Sequence, residues 1–184
     1  RVFSYEGPFG VGYMTAFLEP TGKKIESILE NEMEKINEQY EDNKRKENSF
    51  VKLARNTIEY WVKHKEKVNF NEYKKSIDDK LWLNYVEENE AGVFVSIHKR
   101  DELRGCIGTI QPTQKNIAEE VISNAIQAAE EDPRFNPIRE DELKTLNIKV
   151  DVLHEIEEIN GLEELDIKKY GVIVESGNRR GLLL

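Results

Sequence analysis

A short run of β-branched and aromatic residues, 93–98, is separated from a second strand-like run, 103–110, by only Lys99-Arg100-Asp101-Glu102. So short a polar connection predicts an antiparallel β-hairpin, because parallel neighbours need a crossover of a dozen or more residues. The second strand carries the only cysteine of the chain, in Leu103-Arg104-Gly105-Cys106-Ile107-Gly108. In a regular strand Arg104, Cys106 and Gly108 look one way while Leu103, Gly105 and Ile107 look the other. Glycine at 105 and 108 lets a second segment or a ligand approach the backbone closely. A guanidinium beside Cys106 favours the thiolate, the nucleophilic and metal-binding form. The same residues also fit a small buried hydrophobe in a tightly packed strand.

Helical spacing dominates the flanks. Residues 21–40 place Ile25, Ile28, Leu29, Met33, Ile36 and Tyr40 on one face, which predicts an amphipathic connecting helix; 41–48 lack a large apolar side chain and read as an exposed linker or helix end. Ser49 is the expected N-cap of a second helix with Phe50, Leu53, Ala54, Thr57, Ile58, Trp61 and Val62 along one stripe. Leu81-Trp82-Leu83 fits helix or strand. Pro112-Thr113 is expected to open a helix whose buried side is Ile117, Val121, Ala125, Ala128 and Ala129, stopped by Asp132-Pro133-Arg134-Phe135-Asn136-Pro137. Ile148, Val150 and Val152 alternate with polar neighbours in a strand, and 170–175 with 182 onward form another hairpin. Hairpins interleaved with helices give an α+β fold with a largely antiparallel sheet.

Composition narrows function. The 184 residues suffice for one domain with a real core. No apolar run approaches the roughly 20 residues of a membrane span. With 36 acidic against 27 basic residues the formal charge is -9, which disfavours nucleic-acid backbones as partners. One cysteine forms no internal disulfide, and a cytoplasmic location is expected. The composition shift near Pro20 predicts three parts: 1–20, a helical linker 21–48, and a domain 49–184. The start at Arg1 and the end on Leu182-Leu183-Leu184 read as cuts in a longer protein.

The hexapeptide 103–108, followed by Asp132-Pro133-Arg134-Phe135 with Pro137, by Glu142-Leu143 and by the strand 148–153, resembles the AMMECR domain family. The lead-in 91–96 and the helix 49–61, with Leu53-Ala54-Arg55, resemble that family's opening. The resemblance covers roughly 49–184 and implies a C-terminally truncated α+β domain in which the cysteine motif and the Asp-Pro-Arg-Phe segment border one surface. Residues 1–20 resemble the end of a class III extradiol dioxygenase-like, or Memo-like, domain. That order resembles an AmmeMemoRadiSam system protein and implies a Memo-like or radical-SAM protein as partner. It also implies that iron and ring-cleavage chemistry, if any, belong to the parent dioxygenase-like domain, with no cofactor or metal ligand in this fragment.

Candidate binding residues are therefore Arg104, Gly105, Gly108 and Arg134, with Arg179 and Arg180 as solvated loop cations. Converging arginines bind anions through bidentate contacts, or each pairs with a carboxylate of its own. Cys106 and His98 are the candidate catalytic pair, since the hairpin brings their strands together. His64, His98 and His154 show no zinc-ligand spacing. Asp132 is expected to brace its turn and Phe135 to plug the core. The leading reading is an accessory binding domain acting with a protein partner; the alternative is an enzyme using Cys106 as nucleophile or acceptor beside an arginine-lined anion pocket.

Overall fold

A computed structural model of the chain describes residues 2–6, 13–16, 22, 25–154, 157–159, 161, 166, 171–177 and 179–183. They fall into two compact units that meet in sequence between Val152 and Leu153. The first begins with an antiparallel hairpin, β1 (Val2–Glu6) and β2 (Tyr13–Ala16). The expected boundary at Pro20 lies outside the described residues.

Helix α1 (Ile25–Lys46) runs six residues beyond the apolar stripe that predicts it. Its polar last turns hold because Asp42 pairs with Arg45 and Lys46 at helical spacing, and Lys44 donates to the Tyr40 hydroxyl at 3.1 Å. Three basic residues there also suit the negative end of the helix dipole. Helix α2 (Ser49–His64) is capped by Asn48 rather than by Ser49, the Asn48 Oδ1 accepting the Val51 N–H at 3.0 Å. A residue's shift in the cap follows from which side chain sits in extended backbone: Asn48 does, and Ser49 is already helical. Between 65 and 90 lie α3 (Phe70–Tyr73), a 3-10 turn (Lys74–Ser76) and α4 (Lys80–Glu88). Asp79 caps α4 by accepting the Trp82 N–H at 3.0 Å, and Trp82, Leu83 and Val86 bury one face, so Leu81-Trp82-Leu83 is helix.

The hairpin forms as expected, from β3 (Val93–Lys99) and β4 (Glu102–Gly108), and its turn residues Arg100 and Asp101 both have positive φ, 52° and 65°. Such a mirror-image turn matches the twist of the strands it joins. The strand β5 (Leu146–Val152) pairs antiparallel with the other edge of β3, giving the order β4-β3-β5. Helix α5 (Ile117–Glu130) starts four residues after Thr113, capped by Asn116. The chain at 113–114 stays outside it because Glu120 captures the Thr113 and Gln114 N–H groups at 2.8 and 2.7 Å. Val93, Val95 and Ile97 project from the central strand into the core formed with α2 and α5, where Leu53, Ile58, Val121, Ala125 and Ala129 are buried. At about 25 cal/mol per Å² of apolar surface removed from water, that layer is the main stabilising term of the unit. The second unit contains the antiparallel hairpin β6 (Val172–Ser176) and β7 (Arg179–Leu183). Tyr170, Asn178 and the side chain of Arg180 lie outside the described residues. The fold is α+β with antiparallel pairing throughout the described strands.

Candidate functional site

The cysteine motif occupies an edge strand, and its regular alternation breaks at Arg104. Ile97 faces Gly105 across the ladder but His98 faces Leu103, so Arg104 is an extra residue in β4. A bulge of this kind re-aims one side chain. Directly opposed residues share a face, which places Leu103 with His98, and Cys106 with Ser96, on the side of the sheet away from the core. Leu103 thus shares the face of Cys106, contrary to the unbroken alternation expected from the sequence. The Cys106 thiol is half-buried and lies 3.2 Å from the Ser96 hydroxyl. His98 sits on the same face, two residues along β3 from Ser96, and the contact of the thiol is with the serine. Lys149 of β5 lies opposite Ser96 on its other side and pairs with Asp151 at 3.0 Å.

The glycines serve close approach. A Cβ at Gly105 would run into the Ala128 carbonyl of α5, and one at Gly108 into the Phe94 ring. Gly105 lets the helix pack on the sheet and Gly108 lets an aromatic lie across the strand, so the neighbours they admit are this chain's own.

Both arginines are engaged within the protein. Arg104 donates through Nε and Nη2 to the two carboxylate oxygens of Glu142, at 3.2 and 2.9 Å, and to the carbonyls of Asn136 and Pro137 at 2.8 and 3.3 Å. Glu142 also accepts from Lys99 Nζ at 2.9 Å and from the Arg139 N–H at 3.1 Å. Burial alone would push the Glu142 pKa up; the hydrogen bonds from Arg104, Lys99 and Arg139 outweigh it and bring the value down to about 2. Arg134 forks onto Asp132 through Nε and Nη2 at 2.9 and 2.8 Å and reaches the Cys106 carbonyl at 3.1 Å. Asp132, almost fully buried, accepts in addition the N–H groups of Arg134 and Cys106, at 3.1 and 2.8 Å. The Arg134 hydrogen bonds, against the opposing effect of burial, hold the Asp132 carboxyl far below the usual carboxylate range. The Arg134 side chain keeps 54% of its surface exposed while that of Arg104 keeps 17%. Of the two, Arg134 is the one still open to a partner.

Asp132 braces its turn as the sequence suggests. Phe135 does not plug the core: it is half-buried beneath the Arg134 guanidinium, 5.5 Å from the ring centre, and Ile138 fills the buried position. Beside the motif Lys99, Arg100, Glu102, Leu103 and Arg104 line a shallow cleft of about 310 Å³. His64 and His154 are exposed and far from it in the chain. Among the described residues no group of three or more His, Cys, Asp or Glu side chains is placed to hold a metal ion, and no helix is long and apolar enough to cross a membrane.

Sequence reasoning assigned no site role to Ser96, Glu142 or Glu120, although Glu142 is among the residues that carry the family resemblance. Ser96 could not be reached by counting back from the turn, which sets Val95 opposite Cys106; the bulge at Arg104 shifts the register by one and brings Ser96 there. Glu142 meets its cations only through tertiary contact. Glu120 is fully buried on α5 and accepts from Thr109 Oγ1 at 2.7 Å and Thr113 Oγ1 at 2.9 Å besides the two N–H groups named above. Burial raises its pKa, but these hydrogen bonds prevail and the net direction is down.

The family model described as AMMECR1 matches residues 51–184. A protein of Clostridium acetobutylicum is 44% identical over 185 residues, a match that takes in 100% of this chain and 37% of that protein. A Thermotoga maritima protein is 45% identical over 139 residues, covering 75% of each. The crystal structure of an uncharacterized protein from Pyrococcus horikoshii superimposes with a TM-score of 0.56 at 33% identity, over 73% of this chain and 66% of that one. The chain thus spans little more than a third of the Clostridium relative.

Proposed function

The chain belongs to the AMMECR1 family, and on that footing we propose that residues 49–184 form an accessory, protein-binding domain of an AmmeMemoRadiSam-type system. Its partner is a Memo-like or radical-SAM protein, and its recognition surface is the outer sheet face around Cys106 and Arg134. The observation that carries this reading is the internal bracing of the motif. Arg104, Asp132 and Glu142 are consumed in fixing the edge strand to the 132–142 segment, which leaves Leu103, Cys106, Arg134 and Lys149 as a pre-set surface. Preorganised surfaces of this kind lose little entropy on association. Iron chemistry in such a system resides in a dioxygenase-like domain, and these residues contribute recognition.

Capture by purified Memo-like and radical-SAM proteins tests the reading. Arg134→Ala and Lys149→Glu should each weaken capture while leaving the circular dichroism spectrum native; undiminished capture by both variants would remove this surface from consideration.

A second reading makes Cys106 a nucleophile or acceptor, with His98 as base and substrate held by Arg134. It is favoured by one observation, that the thiol is half-buried beside a hydroxyl rather than sealed in the core. Native-state alkylation by iodoacetamide across pH 6–9 separates the two, about one pH unit being tenfold in thiolate below the thiol pKa. A thiol that resists the reagent until the protein unfolds would exclude the nucleophile.

A further inference from the structure

The guanidinium of Arg134 already uses both of its forks inside the protein. Nε and one hydrogen of Nη2 go to the two carboxylate oxygens of Asp132, at 2.9 and 2.8 Å, and the other Nη2 hydrogen goes to the Cys106 carbonyl at 3.1 Å. A carboxylate or phosphate gripped side-on needs Nε with Nη2, and one gripped end-on needs both Nη groups. Either grip takes a hydrogen that Nη2 no longer has. Among the described residues only the Nη1 hydrogens are without a partner. Charge points the same way. The Asp132 carboxylate, 2% exposed, lies against the cation and offsets it, so an incoming anion gains little attraction from the pair. The Asp132 hydrogen bonds, opposed by burial, raise the Arg134 pKa, and the Cys106 side chain adds to them, which sets the thiol beside the guanidinium.

What stays accessible is a flat surface. The Phe135 ring centre lies 5.5 Å from the guanidinium carbon, and 54% of the Arg134 side chain remains open. A planar, delocalised and weakly hydrated cation held in this way is a stacking surface for an aromatic ring. Apolar side chains accompany it: Leu103, 39% exposed, and the half-buried Phe94 share the outer sheet face with Cys106. Resting on the reading of this face as a protein-recognition surface, we infer that the partner meets it with an aromatic side chain laid flat on the exposed face of Arg134, and with a neutral carbonyl at Nη1, rather than with a carboxylate or phosphate. The arginine that reads as an anion hook in the sequence is thereby a platform, its charge and its forks committed to Asp132.

Random peptides displayed on phage and selected on the whole chain test this chemistry directly. Among peptides whose binding is lost on Arg134→Ala, Trp, Tyr or Phe should be enriched and Asp and Glu should not. Arg134→Lys keeps a cation near Asp132 but no flat face, so it should weaken each of these peptides by about fivefold or more, whereas an acidic peptide would bind it nearly as well. Should Arg134→Ala lose its native circular dichroism, Arg134→Lys sorts the peptides in its place. Raising sodium chloride from about 0.05 to about 0.5 M should change these affinities by less than about threefold, while recognition of an anion would fall by about tenfold. Acidic peptides, a steep salt dependence, or a selection with no peptide sensitive to Arg134 each overturn the inference. Its failure is separable from that of the partner assignment. Aromatic peptides that depend on Arg134, with no capture of Memo-like or radical-SAM proteins, strike the assignment alone; acidic peptides alongside that capture strike the stacking alone.

Discussion

Replacing Glu142 by Gln probes how much of the fold rests on buried ionic bracing. The wild-type carboxylate takes four hydrogen bonds from Lys99, Arg104 and Arg139, and its side chain is 8% exposed. Its pKa falls from the ordinary 4.5 to about 2 in the folded protein. At about 1.4 kcal/mol per pH unit, that interval corresponds to about 3 kcal/mol of folding stability. The sign follows from proton uptake. As pH falls below about 4.5 the unfolded chain binds a proton at this position while the native carboxylate does not, so the contribution is complete above the unfolded value and drains away as pH approaches 2. Glu142→Gln keeps the shape, removes the charge, and turns an amide N–H₂ toward cationic donors. Urea unfolding of both proteins should therefore differ by about 3 kcal/mol at pH 7 and converge as pH falls toward 2. Asp132 is depressed in the same direction in both proteins and cancels in the difference. A difference that is constant with pH, or one under about 1 kcal/mol at pH 7, would refute the bracing argument.

Gly105→Ala should cost about 2 kcal/mol or more, because its Cβ meets the rigid Ala128 carbonyl, whereas Gly181→Ala, with open space around it, should leave the melting temperature within a degree or two. Asn48→Ala should lower stability by about 1 kcal/mol in urea by removing the cap of α2, and Ser49→Ala should not. Glu120→Gln should destabilise by about 2 kcal/mol, since the amide offers one acceptor oxygen to donors that now share two; hydrogen exchange of the Thr113 and Gln114 amides should rise, and unchanged protection there would contradict the role given to this carboxylate.

Much of the architecture was legible because it follows from spacing. The stripe of α2, the alanine side of α5 and the alternation in β5 each reflect one element burying one face, and periodicity encodes that directly. Ends were less legible. Ser49 and Asn48 are both good caps, and the choice depends on which residue adopts extended backbone; Pro112-Thr113 resembles a helix start until Glu120 claims the N–H groups that follow. At the site, the family resemblance set the hexapeptide and the Asp-Pro-Arg-Phe segment on one surface, and they do meet, but the residues did not show which atoms join them. The bulge at Arg104 is invisible to a period of two, and it is the bulge that turns Arg104 toward Glu142 instead of toward the face of Cys106. Phe135 was misread because an aromatic after a proline turn looks like an anchor, while here the neighbouring Arg134 covers it and Ile138 takes the buried place.

The two motifs, separated by 26 residues, act as one structural unit through the exposed side of β4. An edge strand leaves N–H and C=O groups that invite pairing with another chain. In β4 the Cys106 N–H is taken by Asp132 and the Cys106 carbonyl by Arg134, and the same two side chains are forked together. The strand is thereby closed to a further strand at the residue where the cysteine stands. Charge-assisted hydrogen bonds are the stronger kind, and a salt bridge that also satisfies a strand edge replaces the desolvation cost of that edge with two partners. A partner recognising this domain thus has the side chains of the outer face available to it, not the backbone of β4 beside Cys106. Arg134 links the two surfaces, fixed by its Nε and Nη2 to Asp132 yet with more than half of its side chain exposed, so a ligand that engages it also contacts the group that holds the cysteine strand in place.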